Sequence, residues 1–176
     1  MEISLAYRFC PLCGSQRDME SQSRPFKCLA CDHTSFFGPV GAVGAIVTNN
    51  QGQVLLIERA REPGLGKLGM PGGFVDPNES AEVALRREIG EEVGVQVGRL
   101  VFLMTAPNAY KYQGIVYPVL DLYYQTELVD GQSIAPEASE VSSWMWTELT
   151  SQVLDRIAFP SNRQALEFFM KQSTSG

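Results

Sequence analysis

Three glutamates, Glu88, Glu91 and Glu92, stand at i, i+3 and i+4 in the stretch REIGEEVG. On a helix that spacing puts all three carboxylates on one face, about a turn apart. Like charges so placed repel by roughly 0.2–0.5 kcal/mol per pair, a cost that a bound cation removes. Hard cations such as Mg²⁺ take oxygen ligands and keep waters that substrate phosphates can replace. Upstream, Gly72-Gly73 can bring backbone amides and carbonyls close to a ligand. Arg87 lies within reach of Glu91 at i+4 and of Glu79 at the helix start, a placement suited to bracing carboxylates. Taken singly, the acidic cluster also reads as a solvated helix face, and the glycine pair as a turn. Their joint occurrence at a fixed distance favours a site.

A second set of metal-type ligands lies at the other end of the chain. All four cysteines fall within the first 31 residues, as Cys10-x-x-Cys13 and Cys28-x-x-Cys31. Two CxxC pairs across a short loop have the spacing of a tetrahedral Cys₄ zinc site. Pro11 stiffens the first knuckle, and Gly14, just after Cys13, can take the positive φ that turns amides toward a thiolate. Asp32 occupies the matching place in the second knuckle and tolerates the same conformation. Two disulfides are the rival reading, opposed by the reducing compartment expected for this chain. Four cysteines fill zinc's four positions, so such a site is structural and stabilises a segment too short to build its own core. His33, the only histidine, sits beside Cys31 and reads as part of the second knuckle.

The elements that must position these groups follow from pattern. Val40–Thr48 and Val54–Arg59 read as strands around an Asn49-Asn50-Gln51-Gly52 turn, followed by an irregular loop rich in glycine. Ser80–Val93 reads as a helix with the apolar stripe Ala81, Ala84, Leu85, Ile89 and Val93, capped by Asn78 or Ser80 and ended by Gly94. Further strands are expected at 100–104, 117–124 and 141–146, and helices at 149–156 and 162–170. Strands and helices mix without a βαβ rhythm, so the expected class is an α/β or α+β mixed sheet. The division expected is a zinc ribbon over 1–37 and a second domain over 38–176.

The chain has 176 residues, 44% of them hydrophobic, enough for a real core. No apolar run is long enough to span a bilayer and no signal-peptide pattern opens the chain, so a soluble cytoplasmic protein is expected. Its net charge of −6 argues against a broad nucleic-acid face. The ribbon offers only Arg8, Arg17, Arg24 and Lys27 as cations. A small anionic substrate docked through metal ions remains compatible with the acidity.

The stretch GGFVDPNESAEVALRREIGEEVGV closely resembles the Nudix box, G-x5-E-x7-R-E-U-x-E-E-x-G-U with U aliphatic. Every defined position matches, at Gly73, Glu79, Arg87, Glu88, Ile89, Glu91, Glu92, Gly94 and Val95. The resemblance implies an α/β/α sandwich whose box forms a loop–helix–loop. It implies a Mg²⁺- or Mn²⁺-dependent hydrolase that cleaves the pyrophosphate of a nucleoside diphosphate linked to another group. Glu88, Glu91 and Glu92 would supply metal ligands, Gly72 a backbone carbonyl, and Gly73, Glu79 and Arg87 would brace the box. The general base would come from Glu91, Glu92 or Glu140. A Cys₄ ribbon ahead of such a domain resembles the NADH pyrophosphatase branch, in which a further glutamate before a C-terminal tryptophan joins the metals. Glu140, ahead of Trp146, resembles it here, with an exposed loop carboxylate as the alternative. A homodimer is also what the resemblance suggests.

One departure concerns the substrate. The branch carries a motif resembling SQPWPFPxS after the box, where this chain reads MTAPNAYKYQG. NADH therefore loses support, and ADP-ribose, FAD or another nucleotide conjugate stays open. Tyr110, Lys111 and Tyr112 could stack a base and meet a phosphate, or form an ordinary strand-end loop. The competing reading from another class is a non-catalytic ribbon protein that binds a nucleotide or RNA. An intact glutamate set speaks against a silent domain.

Overall fold

A computed structural model of the chain describes residues 1–17 and 25–173. Arg24, counted above among the ribbon's cations, lies outside them. The chain forms two compact units, one of Met1–Val40 with Ala109–Val119, the other of Gly41–Asn108 with Leu120–Gly176.

In the first unit a single turn of helix, α1 (Ile3–Ala6), precedes two short antiparallel strands, β1 (Phe26–Lys27) and β2 (Thr34–Ser35). The buried apolar content is small, Cys10, Cys28 and Phe26 with Phe37 against them. Arg17 is buried as well, its guanidinium over the Phe26 ring and donating to the Ser4 carbonyl. So little apolar area gives a fold of this size marginal stability without a cross-link or metal. Residues 109–119 of this unit hold a two-residue hairpin turn, with Gln113 at φ 47° and Gly114 at φ 81°. Positive φ at both central positions is the primed turn whose twist matches its flanking strands.

The second unit is a three-layer α/β/α sandwich. Strands β3 (Val40–Thr48), β4 (Val54–Arg59), β5 (Leu68–Gly69), β6 (Val101–Tyr112), β7 (Ile115–Glu127) and β8 (Val141–Thr147) form one sheet in the order β5-β4-β3-β7-β6, with β8 on β4. Alternation along β3 sorts the two faces. Val43, Ala45 and Val47 meet helix α2 (Ala81–Val93) through Ala84, Leu85, Ile89 and Val93. Ile46 faces the other way, with Leu56 and Leu68, toward α3 (Ser151–Leu154) and α4 (Pro160–Ser173) through Leu154, Ala165 and Leu166. Full burial of each Leu, Ile or Val contributes roughly 1.5–3 kcal/mol, so the helix carrying the glutamates is fixed by its opposite face.

α2 begins where its sequence says it should. Ser80 accepts the N–H of Val83, and Gly94 ends the helix at φ 69° with its N–H on the Gly90 carbonyl. The next free carbonyls, of Glu92 and Val93, accept the N–H groups of Glu137 and Ala135. A loop far along the chain is thereby tied to the end of this helix. None of the described helices is long and apolar enough to cross a membrane.

Candidate functional site

The loop before α2 runs back along β3. Val43 and Ala45 donate to the carbonyls of Gly73 and Pro71, and Val75 donates to Gly41. That course presses Gly72 onto the strand. Its φ is 145°, and a Cβ there would lie 2.1 Å from the Val43 carbonyl oxygen. At Gly73 a Cβ would lie 2.5 Å from the Glu88 carboxylate. Both glycines are required because backbone and carboxylate occupy the space a side chain would fill.

Glu92 is 6% exposed, and its carboxylate accepts the Gly72 N–H at 2.8 Å. Burial pushes its carboxyl up to about 8, with the Glu88 and Glu140 charges adding and the Gly72 N–H and Arg59 opposing. Burial also raises the Glu88 carboxyl, against the pull of Arg87. Glu91 is the outermost of the three, its side chain 62% exposed.

Arg87 gathers the rest of the box. It donates to both oxygens of Glu79, at 2.9 and 2.8 Å, to Glu88 at 2.8 Å, to Glu91 at 3.2 Å and to the Phe74 carbonyl at 3.1 Å. The bidentate hold on Glu79 keeps that carboxyl below its ordinary range. Glu79 in turn accepts the Asp76 N–H at 3.2 Å. Loop and helix are thus locked by one guanidinium.

Glu140 arrives on the loop that leads into β8. β8 pairs with β4 from Val54↔Thr147 to Arg59↔Val141, and the pairing continues as Ala60 N–H to the Glu140 carbonyl. Glu140 is side by side with Arg61, their charged atoms 2.7 Å apart. Its charge acts on both Glu88 and Glu92, so the four glutamates named from sequence share one electrostatic environment.

Buried carboxylates that repel one another suit a hard divalent cation, whose charge reverses the penalty that raises their pKa. Glu88, Glu91, Glu92 and Glu140 supply oxygen donors of the right kind. They do not close into a cage, and an open arrangement leaves positions for water and phosphate.

The cysteines are arranged differently. Their four sulfurs lie within 4.8 Å of one another, the one such gathering of three or more ligand side chains among the described residues. Cys10–Cys31 and Cys13–Cys28 are 3.8 and 3.7 Å apart, far longer than a disulfide. A tetrahedron with Zn–S bonds of about 2.3 Å has edges of about 3.8 Å, which these two separations match, so the cradle suits zinc. The knuckles repeat one another: Gly14 donates to the Cys10 carbonyl and Asp32 to that of Cys28, at φ 73° and 58°. Ser15, through its hydroxyl and backbone, draws the Cys13 thiol down to about 6. His33 stays within its knuckle, its ring nitrogen 3.1 Å from the Ser35 hydroxyl.

Tyr110, Lys111 and Tyr112 end β6 just before the hairpin turn, in the unit that holds the ribbon, with Lys111 and Tyr112 exposed. Tyr123 and Tyr124 are core residues. Two groups beside the carboxylates were not singled out from sequence, Arg59 and Arg61. Arg59 donates to the Pro63 carbonyl at 2.7 Å and lies over the Phe159 ring, and its charge favours the ionised form of Glu92. In sequence both belong to the mixed-charge run ERARE, which carries no signal beyond a solvated loop.

A glycine-turned loop braced on a helix of glutamates, in an α/β/α sandwich, defines a scaffold for metal-assisted phosphate chemistry. The NUDIX domain family matches residues 38–168, and the chain belongs to that family. It is 30% identical over 141 residues to the NAD-capped RNA hydrolase NudC of Stutzerimonas stutzeri (strain A1501), covering 80% of this chain and 48% of that protein. Against NudC of Deinococcus radiodurans identity is 25% over 171 residues, covering 95% of this chain and 58% of that one. The chain therefore spans about half the length of the curated relatives it matches. Among solved structures, a NUDIX hydrolase from Nitrosomonas europaea shares the fold at a TM-score of 0.68 and 24% identity, over 96% of this chain and 93% of that one. The NUDIX domain of Shewanella oneidensis NrtR, solved with ADP ribose, gives 0.64 and 26% identity, over 78% and 90%.

Proposed function

We propose that the chain is a Mg²⁺- or Mn²⁺-dependent pyrophosphohydrolase acting on a nucleoside diphosphate joined to a second group. The observation that carries this reading is the set of carboxylates held together against their own repulsion, with Glu92 buried on the Gly72 amide. Glu88, Glu91, Glu92 and Glu140, with the Gly72 carbonyl, would hold the cation. Once bound, it would polarise a phosphoryl oxygen, acidify a coordinated water and offset charge on the departing phosphate. Water attacks one phosphorus, the bridging P–O bond breaks, and the proton of the water passes to Glu91, Glu92 or Glu140. Arg87, through its bonds to Glu79, Glu88 and Glu91, keeps loop and helix in register during this exchange. The four cysteines would hold one structural zinc.

The relatives' names, NAD-capped RNA hydrolase, point to an NAD-type diphosphate as the group cleaved. The ADP-ribose complex of a similar domain supports the ADP-ribosyl half of such a molecule. Tyr110, Lys111 and Tyr112, two aromatic rings flanking an ammonium, are of the kind that suits a base and a phosphate. The test is mononucleotide release from a panel with and without Mg²⁺ or Mn²⁺: AMP from NADH, NAD⁺, ADP-ribose, FAD or a dinucleoside polyphosphate, and nicotinamide mononucleotide from an NAD-capped RNA, whose adenylate stays on the RNA. Metal-dependent release from one of them, lost in Glu92→Gln, is expected. No turnover on any would favour a binding protein instead.

A further inference from the structure

Two arginines contact the candidate carboxylates, and they are held in opposite ways. Arg87 is 25% exposed and bound on several sides, to three glutamates and a carbonyl. Arg61 is 60% exposed and meets one carboxylate, that of Glu140. A guanidinium carries five N–H donors, so most of those on Arg61 face water. Its neighbour Arg59 is already committed to the Pro63 carbonyl and the Phe159 ring.

We propose that Arg61 is a phosphate-binding residue whose guanidinium neutralises Glu140 until a divalent cation takes that carboxylate, and is then released to the substrate's diphosphate. The proposal rests on the metal-dependent reading given above. An ion pair this exposed is weak and salt-screened, so a divalent cation displaces it readily. The cation and Arg61 thus compete for one ligand. Displacement does not carry Arg61 away, because the Ala60 N–H remains on the Glu140 carbonyl and keeps the two chain segments together. A diphosphate esterified at both ends brings about two negative charges, and together with the carboxylates of Glu88, Glu91, Glu92 and Glu140 that exceeds what one divalent ion neutralises. The planar fork of a guanidinium fits phosphate oxygens in pairs, and Arg61, 60% exposed, has donors to spare.

The test uses the full chain in four forms, wild type, Arg61→Gln, Arg61→Lys and Glu92→Gln, with two binding measurements. Mn²⁺ alone is titrated first. At saturating Mn²⁺ the titrant is α,β-methylene-ADP, a nucleoside diphosphate whose phosphates are joined through carbon and resist hydrolysis. Arg61→Gln is expected to bind Mn²⁺ about threefold tighter, its competitor gone, and the analogue about tenfold more weakly. Arg61→Lys should fall between wild type and Arg61→Gln in the second titration, keeping the charge and losing the fork. Opposite changes in the two affinities are the signature, since damage to the fold would weaken both. Unchanged or weaker Mn²⁺ binding in Arg61→Gln overturns the competition, and unchanged analogue binding overturns the phosphate role. In either case, Mn²⁺ binding that Glu92→Gln abolishes would leave the metal-dependent reading standing. A wild-type protein with no Glu92-dependent Mn²⁺ site would refute that reading, and the proposal with it.

Discussion

The ribbon and the carboxylate site both gather metal-type ligands, yet they are built to opposite ends. In the ribbon four sulfurs already lie within 4.8 Å of one another, and two repeated knuckles supply the backbone turns that keep them there. At the other site the glutamates are distributed over a helix and a distant loop and held by three different partners: Gly72 for Glu92, Arg87 for Glu88 and Glu91, Arg61 for Glu140. A closed tetrahedral cradle has no position left for substrate, which suits a metal that holds a small unit together. Carboxylates with separate holds leave room for water and phosphate and can be re-aimed when a cation enters. On the proposed reading, the ligand arrangement would distinguish a structural metal from a catalytic one before either ion is considered.

The difference can be broken from either side. The largest effect belongs to Glu92→Gln, which should lower turnover by about three orders of magnitude or more while leaving the fold intact. A circular-dichroism spectrum and melting curve beside the kinetics check it, and near wild-type turnover would remove Glu92 from the chemistry. Cys10→Ser should lose the zinc and unfold the ribbon, at a cost on the order of several kcal/mol to that unit. Amide exchange should then rise around Phe26 and Cys28 while α2 and β3 keep their protection. Gly73→Ala places a methyl group against the Glu88 carboxylate and should weaken Mn²⁺ binding at least tenfold with a melting temperature lowered by a few degrees. The smallest effect is on pH dependence. Between the ordinary carboxyl value near 4.5 and about 8, folded Glu92 keeps a proton that the unfolded chain has lost. Raising pH through that window must therefore destabilise the metal-free protein. Its melting temperature should fall from pH 5 to pH 8, with a shallower fall in Glu92→Gln, and saturating Mg²⁺ should offset the loss.

What could be read from sequence was what is local. β3 and β4 fall at Val40–Thr48 and Val54–Arg59, and α2 carries its expected apolar stripe between Ser80 and Gly94. Gly14 and Asp32 take the positive φ that the knuckle spacing calls for, because in each case the turn lies within five residues of its partners. The long hairpin was legible only in part. The strand expected at 100–104 runs on as β6 through Tyr112, because its backbone partners in β7 follow directly across a two-residue turn. The expected helix over 149–156 shortens to Ser151–Leu154, and α4 starts earlier, at Pro160, where a missing N–H costs nothing. Arg59 and Arg61 were missed because their meaning lies in β4–β8 pairing, a contact with no local periodicity to announce it.

The most direct measurement is metal analysis and AMP release on one sample, before and after dialysis against a mild chelator and again after adding Mg²⁺. With ADP-ribose or NADH as substrate, about one zinc per chain should survive dialysis while activity disappears, and Mg²⁺ should restore activity without changing the zinc content. Activity that persists after dialysis, or that follows the zinc content and ignores Mg²⁺, would contradict the division of labour between the two sites.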